Sequence, residues 1–303
     1  MRILIPIDQS KSSLAAVNFV ASRRALVDTD PNVRLIHAQR QVPRDIWLVV
    51  GQGKLRKIQD RTAERVFKPA LRTLADAGLA AQTISAIGVP GEEIARAADK
   101  YRVDLIVMAA RGLTEAKGLF LGSVTGSVLA HSKTPLLILR DHKAPKKRPL
   151  RIGIAVDGSK YGLTAIRYVL KHTSLFGFGK DAEPAIRLIH VTPNYASYVA
   201  GDISGMAMPV YSAEETEAMR AAECKAALDP ARTLLNKASV EFEEITLSGN
   251  AGDQIAVYAN SGKLDLLVMG SHGRGAFTAA IFGSVATRVA AKCRTPLLII
   301  RRA

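Results

Sequence analysis

The chain has 303 residues, of which 48% are hydrophobic and 23% are charged. This composition leaves room for two globular domains and excludes a disordered chain. The formal net charge of +15 is concentrated in residues 1–148, which carry 25 Lys and Arg against 13 Asp and Glu.

Short apolar runs alternate with longer segments of helical period, which predicts strands joined by crossover helices. In chain order the first half predicts a strand at 2–7, a helix at 11–27, a strand at 33–38, a helix at 54–77, a strand at 82–87, a helix at 91–101, a strand at 104–109, a helix at 123–133 and a strand at 135–140. Pro69 is expected to kink or interrupt its helix.

The second half predicts the same alternation, with strands at 151–156, 185–191, 241–246, 265–270 and 296–301 and helices at 160–175, 213–237, 252–262 and 284–293. Serines at the helix starts are expected to act as N-caps: Ser10, Ser123, Ser159, Ser212 and Ser284.

The two halves repeat one another. Over a gapless stretch, 16 of 37 positions are identical between residues 104–140 and 265–301. The blocks that match elsewhere keep the same order, which indicates a domain duplication. The sequence predicts one domain at 1–141, an exposed linker at 142–149 and a second domain at 150–303, each an open, doubly wound, parallel five-stranded α/β sheet of Rossmann-like type.

Two cysteines, Cys224 and Cys293, are too few for a disulfide framework and are interpreted as reduced core thiols. The first residues do not resemble a secretory signal. No apolar run approaches the roughly 18 residues that a bilayer span requires. These features predict a cytoplasmic protein without a membrane span.

The stretch from Gly270 to Ser284 follows a predicted buried strand and leads into a helix. Gly270 and Gly273 would let the main chain approach a bound group without a Cβ. A helix start at Gly283 presents N–H groups and a positive dipole end to an anion, and Arg274 adds a cation. Two tight turns and a serine cap are the alternative, but the combination favours a phosphate site.

The pattern G-x2-G-x9-G-S resembles the ATP-binding loop of the universal stress protein family. The resemblance extends over nearly the whole chain, twice, and includes Asp8 and Asp157 after the first strands and His37 and His190 near the ends of the second. It implies an adenine nucleotide alpha hydrolase-like fold and an ATP-binding role in the stress response. ATP, with Mg2+, is the implied ligand, and ADP or AMP remain alternatives.

The resemblance also implies which residues contact the nucleotide in the second copy. Asp157 would accept a hydrogen bond from the adenine amino group, the main chain of Val191 would hold the adenine edge, and Ala155 or its neighbour would meet the ribose. The phosphates would be surrounded by Gly270, Gly273, Arg274, Gly283, Ser284 and Val285. The matching positions of the first copy are Asp8, Ala38, Gly112, Gly122, Ser123 and Val124.

Taken by itself, Asp157 is equally compatible with a cap for the following helix. His190 and His272 are predicted to be structural or to contribute through their main chain, and not to be catalytic. The first copy departs from the pattern because Ala109 replaces the first glycine, although Arg111 offers charge in compensation. We therefore expect tighter ATP binding in the second copy.

The sequence lacks Walker-type, G-x-S-x-G and H-E-x-x-H motifs and clustered cysteines. It therefore predicts no catalytic and no metal-ligating residue. A regulatory protein is favoured, and an enzyme that slowly hydrolyses ATP or transfers nucleotidyl groups is the alternative.

Six cations of the predicted helix 54–77 recur at spacings of three and four residues and share one helical face: Lys54, Lys57, Arg61, Arg65, Lys68 and Arg72. This basic stripe could bind nucleic acid, an anionic membrane or an acidic partner, or it could be a solvated outer face. An aromatic content of 5% weakens a single-stranded nucleic acid reading, which needs stacking surfaces.

Two further features concern partners. Residues 193–212 are interpreted either as a lid near the nucleotide or as a surface loop. The apolar final strands, at 136–139 and 297–300, resemble strands that meet across dimers in the family. We therefore expect the two copies to pair within the chain, and a homodimer is a further expectation.

Overall fold

The computed structural model describes residues 1–23, 32–43, 45, 49–110, 122–140, 150–176, 185–195, 211–273 and 282–301. The chain divides into two compact units, the first at residues 1–146 and the second at residues 147–301. Each unit is described by itself.

The first unit alternates strands and helices from its first residues. Its strands are β1 (Ile3–Pro6), β2 (Val33–Gln39), β3 (Ala81–Ile87), β4 (Leu105–Ala109) and β5 (Leu136–Leu139). Its helices are α1 (Lys11–Ala21), α2 (Gln52–Asp76), α3 (Pro90–Lys100) and α4 (Ser123–His131).

The second unit repeats this order. Its strands are β6 (Arg151–Ala155), β7 (Ala185–Thr192), β8 (Phe242–Ser248), β9 (Leu266–Gly270) and β10 (Leu297–Ile300). Its helices are α5 (Lys160–Lys171), α6 (Ala213–Lys237), α7 (Ala251–Tyr258) and α8 (Ser284–Lys292).

Within the first unit the strand order is β3-β2-β1-β4-β5, and within the second it is β8-β7-β6-β9-β10. Every strand pair inside the units is parallel, with Ile3 opposite Val33 and Leu105, and Ile152 opposite Ile186 and Leu266. The predicted fold class is therefore confirmed. The winding direction reverses between β1 and β4 and between β6 and β9, where open α/β sheets bind ligands.

The strands beside each reversal point form the core. All side chains of Leu105–Met108 and Leu266–Met269 are buried, because helices cover both faces of the parallel sheet. In the first unit α1 packs against α2 and α3 against α4, and in the second α5 packs against α6 and α7 against α8. Because each crossover is right-handed, helices on the two sides of the reversal point pack on opposite faces of the sheet.

The two long helices are closely matched. Both have 25 residues and both carry a proline as residue 18, Pro69 in α2 and Pro230 in α6. The expected interruption at Pro69 does not occur, and α2 continues to Asp76. Buried side chains on either side of the proline, Phe67 and Leu74, hold the helix on the sheet and outweigh the lost hydrogen bond.

Three helices end four or more residues before their predicted ends. The first helix ends at Ala21, and of its predicted extension, residues 24–27 lie outside the described residues. Helix α5 ends at Lys171 and is followed by a 3-10 turn at Thr173–Phe176. Helix α7 ends at Tyr258 and continues as a π-turn in which Gly262 takes a φ of 78°. Local turn geometry of this kind leaves no periodic signal in the sequence.

The serine caps are confirmed at three of the five helices. Ser10, Ser159 and Ser212 accept main-chain hydrogen bonds from their helices. For α4 and α8 the prediction is wrong: Ser123 and Ser284 are already the first helical residues, and the N-cap positions are Gly122 and Gly283. Glycine has no side chain with which to cap, so these two helix starts receive no side-chain cap from a described residue.

Candidate nucleotide site

The turn after β6 holds Asp157 in a fixed orientation. Its Oδ1 accepts a hydrogen bond from the N–H of Ser159 at 3.0 Å, and the Ser159 hydroxyl in turn caps α5. Asp8 makes the same contact with the N–H of Ser10 at 3.0 Å. The local role anticipated for Asp157, support of the following helix, therefore exists in the structure. The hydrogen bond from Ser159 uses one of the two carboxylate oxygens of Asp157.

The other oxygen of Asp157 faces the loop after β9. A Cβ built on Gly273 would lie 2.5 Å from Asp157 Oδ2, closer than any normal contact. The absence of a side chain at Gly273 thus lets the main chain of the loop approach the carboxylate. This contact joins the carboxyl ends of β6 and β9, the two strands at the reversal point.

Gly270 has a different neighbour. A Cβ there would lie 2.6 Å from Tyr161 Cβ and 2.8 Å from the Tyr161 carbonyl carbon, so glycine is needed for close packing of β9 on α5. The sequence indicated ligand approach at this position, and the structure provides a packing reason. Tyr161 was not a candidate in the sequence, where nothing distinguishes it from other helix residues.

Main-chain hydrogen bonds close the base of the loop. The N–H of Ser271 donates to the carbonyl of Ile300, and the N–H of Gly283 donates to the carbonyl of Ser271, each at 2.9 Å. Ser271 is fully buried, and its hydroxyl lies 2.9 Å from Nδ1 of His272. The His272 ring packs against Tyr161 with ring centroids 5.1 Å apart. The two ends of the glycine-flanked loop are therefore held together beside α5.

The start of α8 presents three main-chain donors. The first intrahelical bond is from the N–H of Thr287 to the carbonyl of Gly283 at 2.9 Å. The N–H groups of Ser284, Val285 and Ala286 make no hydrogen bond to a described residue. Together with the helix dipole, these donors can bind an anion. The start of α4 resembles that of α8: its first intrahelical hydrogen bond runs from the N–H of Gly126 to the carbonyl of Gly122 at 2.9 Å.

The histidines near the ends of β2 and β7 support these turns. His190 is buried and its Nδ1 lies 3.0 Å from the carbonyl oxygen of Val156, next to Asp157. His37 contacts the carbonyl of Ile7 at the same distance. A carbonyl only accepts hydrogen bonds, so Nδ1 carries the proton in both rings. The arrangement ties each second strand to the turn that bears the aspartate.

The remaining predicted contacts lie along the same edges of the sheets. Val191 is two residues beyond Ile189, which is the last β7 residue in register with β6, so its main chain stands at the carboxyl end of the sheet. Ala155 is the last residue of β6, and Ala38 is the counterpart of Val191 in β2. Arg274, Gly112 and Arg111 lie outside the described residues, as do residues 196–210 of the segment interpreted as a lid.

Equivalent ion pairs in the two units lie at the opposite ends of the strands. Asp104 accepts hydrogen bonds from the main chain and guanidinium of Arg2, and Asp265 accepts the same bonds from Arg151. Burial tends to raise the pKa of Asp104, but the hydrogen bonds and charge of Arg2 outweigh it and hold that pKa below its ordinary value. These pairs anchor β4 and β9 at the amino ends, away from the loop.

Within the described residues, no three His, Cys, Asp or Glu side chains are grouped so that they could hold a metal ion. A search of the same residues for a helix with the length and apolarity needed to cross a membrane finds none.

Two doubly wound units, each with a glycine-bearing loop at the reversal point, place the chain among the Rossmann-like α/β proteins. The sequence profile of the universal stress protein family matches residues 1–140 and 150–301. The chain belongs to this family, as its motifs indicated.

Similar proteins match one or both units. A universal stress protein of Mycolicibacterium smegmatis is 25% identical over 311 residues, which cover 99% of this chain and 96% of that protein. One from Methanocaldococcus jannaschii is 30% identical over 154 residues, 46% of this chain and 94% of its own length. The crystal structure of a universal stress protein from Archaeoglobus fulgidus, 21% identical, superposes with a TM-score of 0.71 and covers 100% of this chain and 98% of its own.

Proposed function

We propose that the second unit binds an adenine nucleotide, with ATP as the ligand, and that the protein acts as a cytoplasmic regulator of the stress response. The observation that carries this proposal is the set of three N–H groups at Ser284, Val285 and Ala286 that make no hydrogen bond to a described residue, at the carboxyl end of the sheet and beside the reversal point. Such a position suits phosphate groups.

In the proposed complex the phosphates meet the start of α8, with Arg274 supplying a cation and Mg2+ arriving with the phosphates. Asp157 accepts a hydrogen bond from the adenine amino group, and the main chain of Val191 binds the ring edge. The close approach of the Gly273 main chain to the Asp157 carboxylate supports this assignment, because the proposed adenine contact and the proposed phosphate loop are then neighbours.

The loop between Ser271 and Gly283 is the element through which the ligand acts. Its two ends are joined by the 2.9 Å main-chain bond between Gly283 and Ser271, next to the helix start where the anion binds, and the bound nucleotide alters the surface that a partner meets there. In this way the partner's binding depends on the concentration of the nucleotide in the cell.

We infer that the first unit is the weaker site. The motif is complete only in the second unit, since Ala109 stands where the second unit has Gly270. The start of α4 nevertheless offers similar main-chain donors. Both units therefore bind ATP in this proposal, the second more tightly than the first.

The experiment compares two matched variants of the full-length protein, Gly283→Val and Gly122→Val. Both residues are N-caps without a positive φ, so valine is compatible with the main-chain torsions. A Cβ on Gly283 would lie 3.1 Å from the carbonyl oxygen of Ser271, whereas one on Gly122 meets no described atom within 4 Å, so circular dichroism and thermal unfolding must first show that Gly283→Val keeps the fold. In titration calorimetry with ATP, we expect Gly283→Val to abolish the tighter binding event and Gly122→Val to leave it intact. Equal losses in the two variants would refute the assignment to the second unit, and no ATP binding by the wild type would refute the function.

A further inference from the structure

The outward face of α2 carries a row of cations that the nucleotide proposal does not use. The six members of the basic stripe are exposed, and none forms an ion pair with a described residue: Lys54, Lys57, Arg61, Arg65, Lys68 and Arg72. The helix rises about 1.5 Å per residue, so the row extends for about 27 Å.

The stripe lies opposite the packed side of the helix. The buried residues of α2 form the other face, against the sheet and α1: Ala63, Val66, Phe67, Ala70 and Leu74. The stripe therefore contributes nothing to the core of the first unit. A row of unneutralised like charges also repels itself within one helix, which destabilises the helix slightly.

The duplication supplies an internal comparison. When α2 and α6 are aligned on Pro69 and Pro230, the six stripe positions correspond to Glu215, Ala218, Ala222, Ala226, Asp229 and Thr233, none of which is basic. Three of the four cations of α6 are paired, Arg220 with Glu217, Lys225 with Asp229 and Arg232 with Glu244, each at 2.6 Å. The fourth, Lys237 at the end of the helix, is exposed and forms no ion pair with a described residue. The fold thus has no need of the stripe at this position.

We propose that the basic stripe of α2 is a docking surface for double-stranded DNA, bound through its phosphates without sequence preference. A straight row of cations complements a linear, regularly spaced polyanion, and duplex DNA carries one negative charge per ~1.7 Å of its helix axis, counting both strands. A row of about 27 Å lies alongside a length of duplex axis equal to about eight base-pair steps.

Other polyanions fit the helix less well. A membrane-bound helix inserts its apolar face, but the apolar face of α2 is packed in the core. A protein interface requires apolar anchors at its centre, and Ile58 is the one large hydrophobic residue of α2 among the exposed ones described. Single strands need aromatic stacking surfaces, and Phe67 is buried.

The test measures binding of the full-length protein to a short labelled DNA duplex by fluorescence anisotropy over a range of salt concentrations. The stripe variant combines Lys57→Gln, Arg61→Gln and Arg65→Gln. The control combines Arg167→Gln, Lys171→Gln and Lys237→Gln, three exposed cations of the second unit. Both lower the formal net charge of +15 by the same amount. Only the arrangement of the lost charges differs.

We expect the stripe variant to bind at least about tenfold more weakly and to lose up to about 2.7 from the slope of log affinity against log salt, since each phosphate contact contributes about 0.9. The control should retain most of the affinity. Equal losses in both variants, or no duplex binding by the wild type, would overturn the proposal. Tighter binding to single-stranded DNA or to phosphatidylserine vesicles than to the duplex would do the same.

A gain-of-function variant provides an independent result. Ala218→Lys, Ala222→Arg and Ala226→Arg rebuild half of the row on the exposed face of α6. We expect these changes to raise duplex affinity and to steepen the salt slope. If they leave both unchanged while circular dichroism shows an intact fold, a helical row of cations is not sufficient for binding and the proposal fails.

Discussion

The carboxylate of Asp157 and the main chain of Gly273 approach so closely that a Cβ on Gly273 would lie 2.5 Å from Asp157 Oδ2. Asp157 comes from the turn after β6 and Gly273 from the loop after β9, on either side of the reversal point. This relationship connects the proposed adenine contact with the proposed phosphate loop.

Gly273→Ala is expected to weaken nucleotide binding with little loss of stability. The added methyl group meets the end of a side chain and not the main chain, so the carboxylate of Asp157 can give way at the cost of its hydrogen bond from the N–H of Ser159, and the fold tolerates the change. A displaced Asp157 no longer meets the adenine, and affinity for ATP should fall about tenfold, which corresponds to about 1.4 kcal/mol. Titration calorimetry measures the affinity.

Gly126→Ala is the matched control for that variant. Gly126 lies within α4, and no described atom comes within 4 Å of its Cβ position. Its replacement should leave ATP affinity unchanged and raise stability slightly, because alanine favours helix. If both variants bind ATP as the wild type does, the contact between Asp157 and the loop has no part in binding.

Gly270→Ala is expected to cost stability. Its Cβ would meet the main chain of Tyr161 at 2.8 and 2.9 Å, and a helix backbone cannot move aside as a side chain can. Overpacking of this kind costs about 1–3 kcal/mol. Urea unfolding should show that loss. Unchanged stability with weaker ATP binding would instead mean that Gly270 serves ligand approach, as the sequence alone indicated.

The reciprocal variant is Ala109→Gly in the first unit. The substitution should lower the free energy of unfolding by roughly 0.5–1 kcal/mol, because glycine in a strand loses more conformational freedom on folding than alanine does. We expect no gain in ATP affinity of the first unit, because the equivalent Cβ direction in the second unit points to α5 rather than to the loop. A clear gain would show that Ala109 obstructs the first site.

The two kinds of helix start can be compared directly. Ser212 caps α6 in a capping box with Glu215, so Ser212→Ala should lower the free energy of unfolding by about 1 kcal/mol. Ser284 is the first residue of α8 and does not cap it, so Ser284→Ala should stay within about 0.5 kcal/mol of the wild type. Thermal unfolding of both variants checks this. A larger loss for Ser284→Ala would contradict the assignment of Gly283 as the N-cap.

Acid stability should depend on Glu244. Its carboxylate accepts hydrogen bonds from Arg232 at 2.6 and 2.7 Å, and this contact lowers the pKa of Glu244. A carboxylate whose pKa is lowered on folding stabilises the protein fully above its unfolded pKa, about 4.3, and loses that contribution as the pH falls through the folded pKa.

Glu244→Gln should therefore lower the free energy of unfolding near pH 7 by less than about 1 kcal/mol, since the pair is partly exposed. The difference from the wild type should shrink once the pH falls below about 4. Urea unfolding over a pH series measures it. Glu241→Gln is the control for the loss of one negative charge, because Glu241 is exposed and forms no ion pair with a described residue.

The order of elements could be predicted closely because burial leaves a periodic mark. The strand predicted at 265–270 is observed at Leu266–Gly270, and the helix predicted at 213–237 is observed at those bounds. Because the chain is duplicated, each predicted strand and helix of one half had a counterpart in the other half. Cap positions were less predictable, since Ser284 and Gly283 are adjacent and only the main-chain torsions distinguish cap from first turn.

The amino-acid sequence by itself determined the duplication, the doubly wound class, the position of the glycine-flanked loop and the unusual charge of α2, because all four are properties of composition, spacing and repetition. Only the tertiary structure decided what Gly270 and Gly273 face, that the N–H of Gly283 bonds to the carbonyl of Ser271, and that Arg232 of α6 pairs with Glu244 while the stripe cations of α2 form no ion pair with a described residue. These are contacts between residues distant in the chain, and their distances depend on how strands and helices pack, which local pattern does not encode.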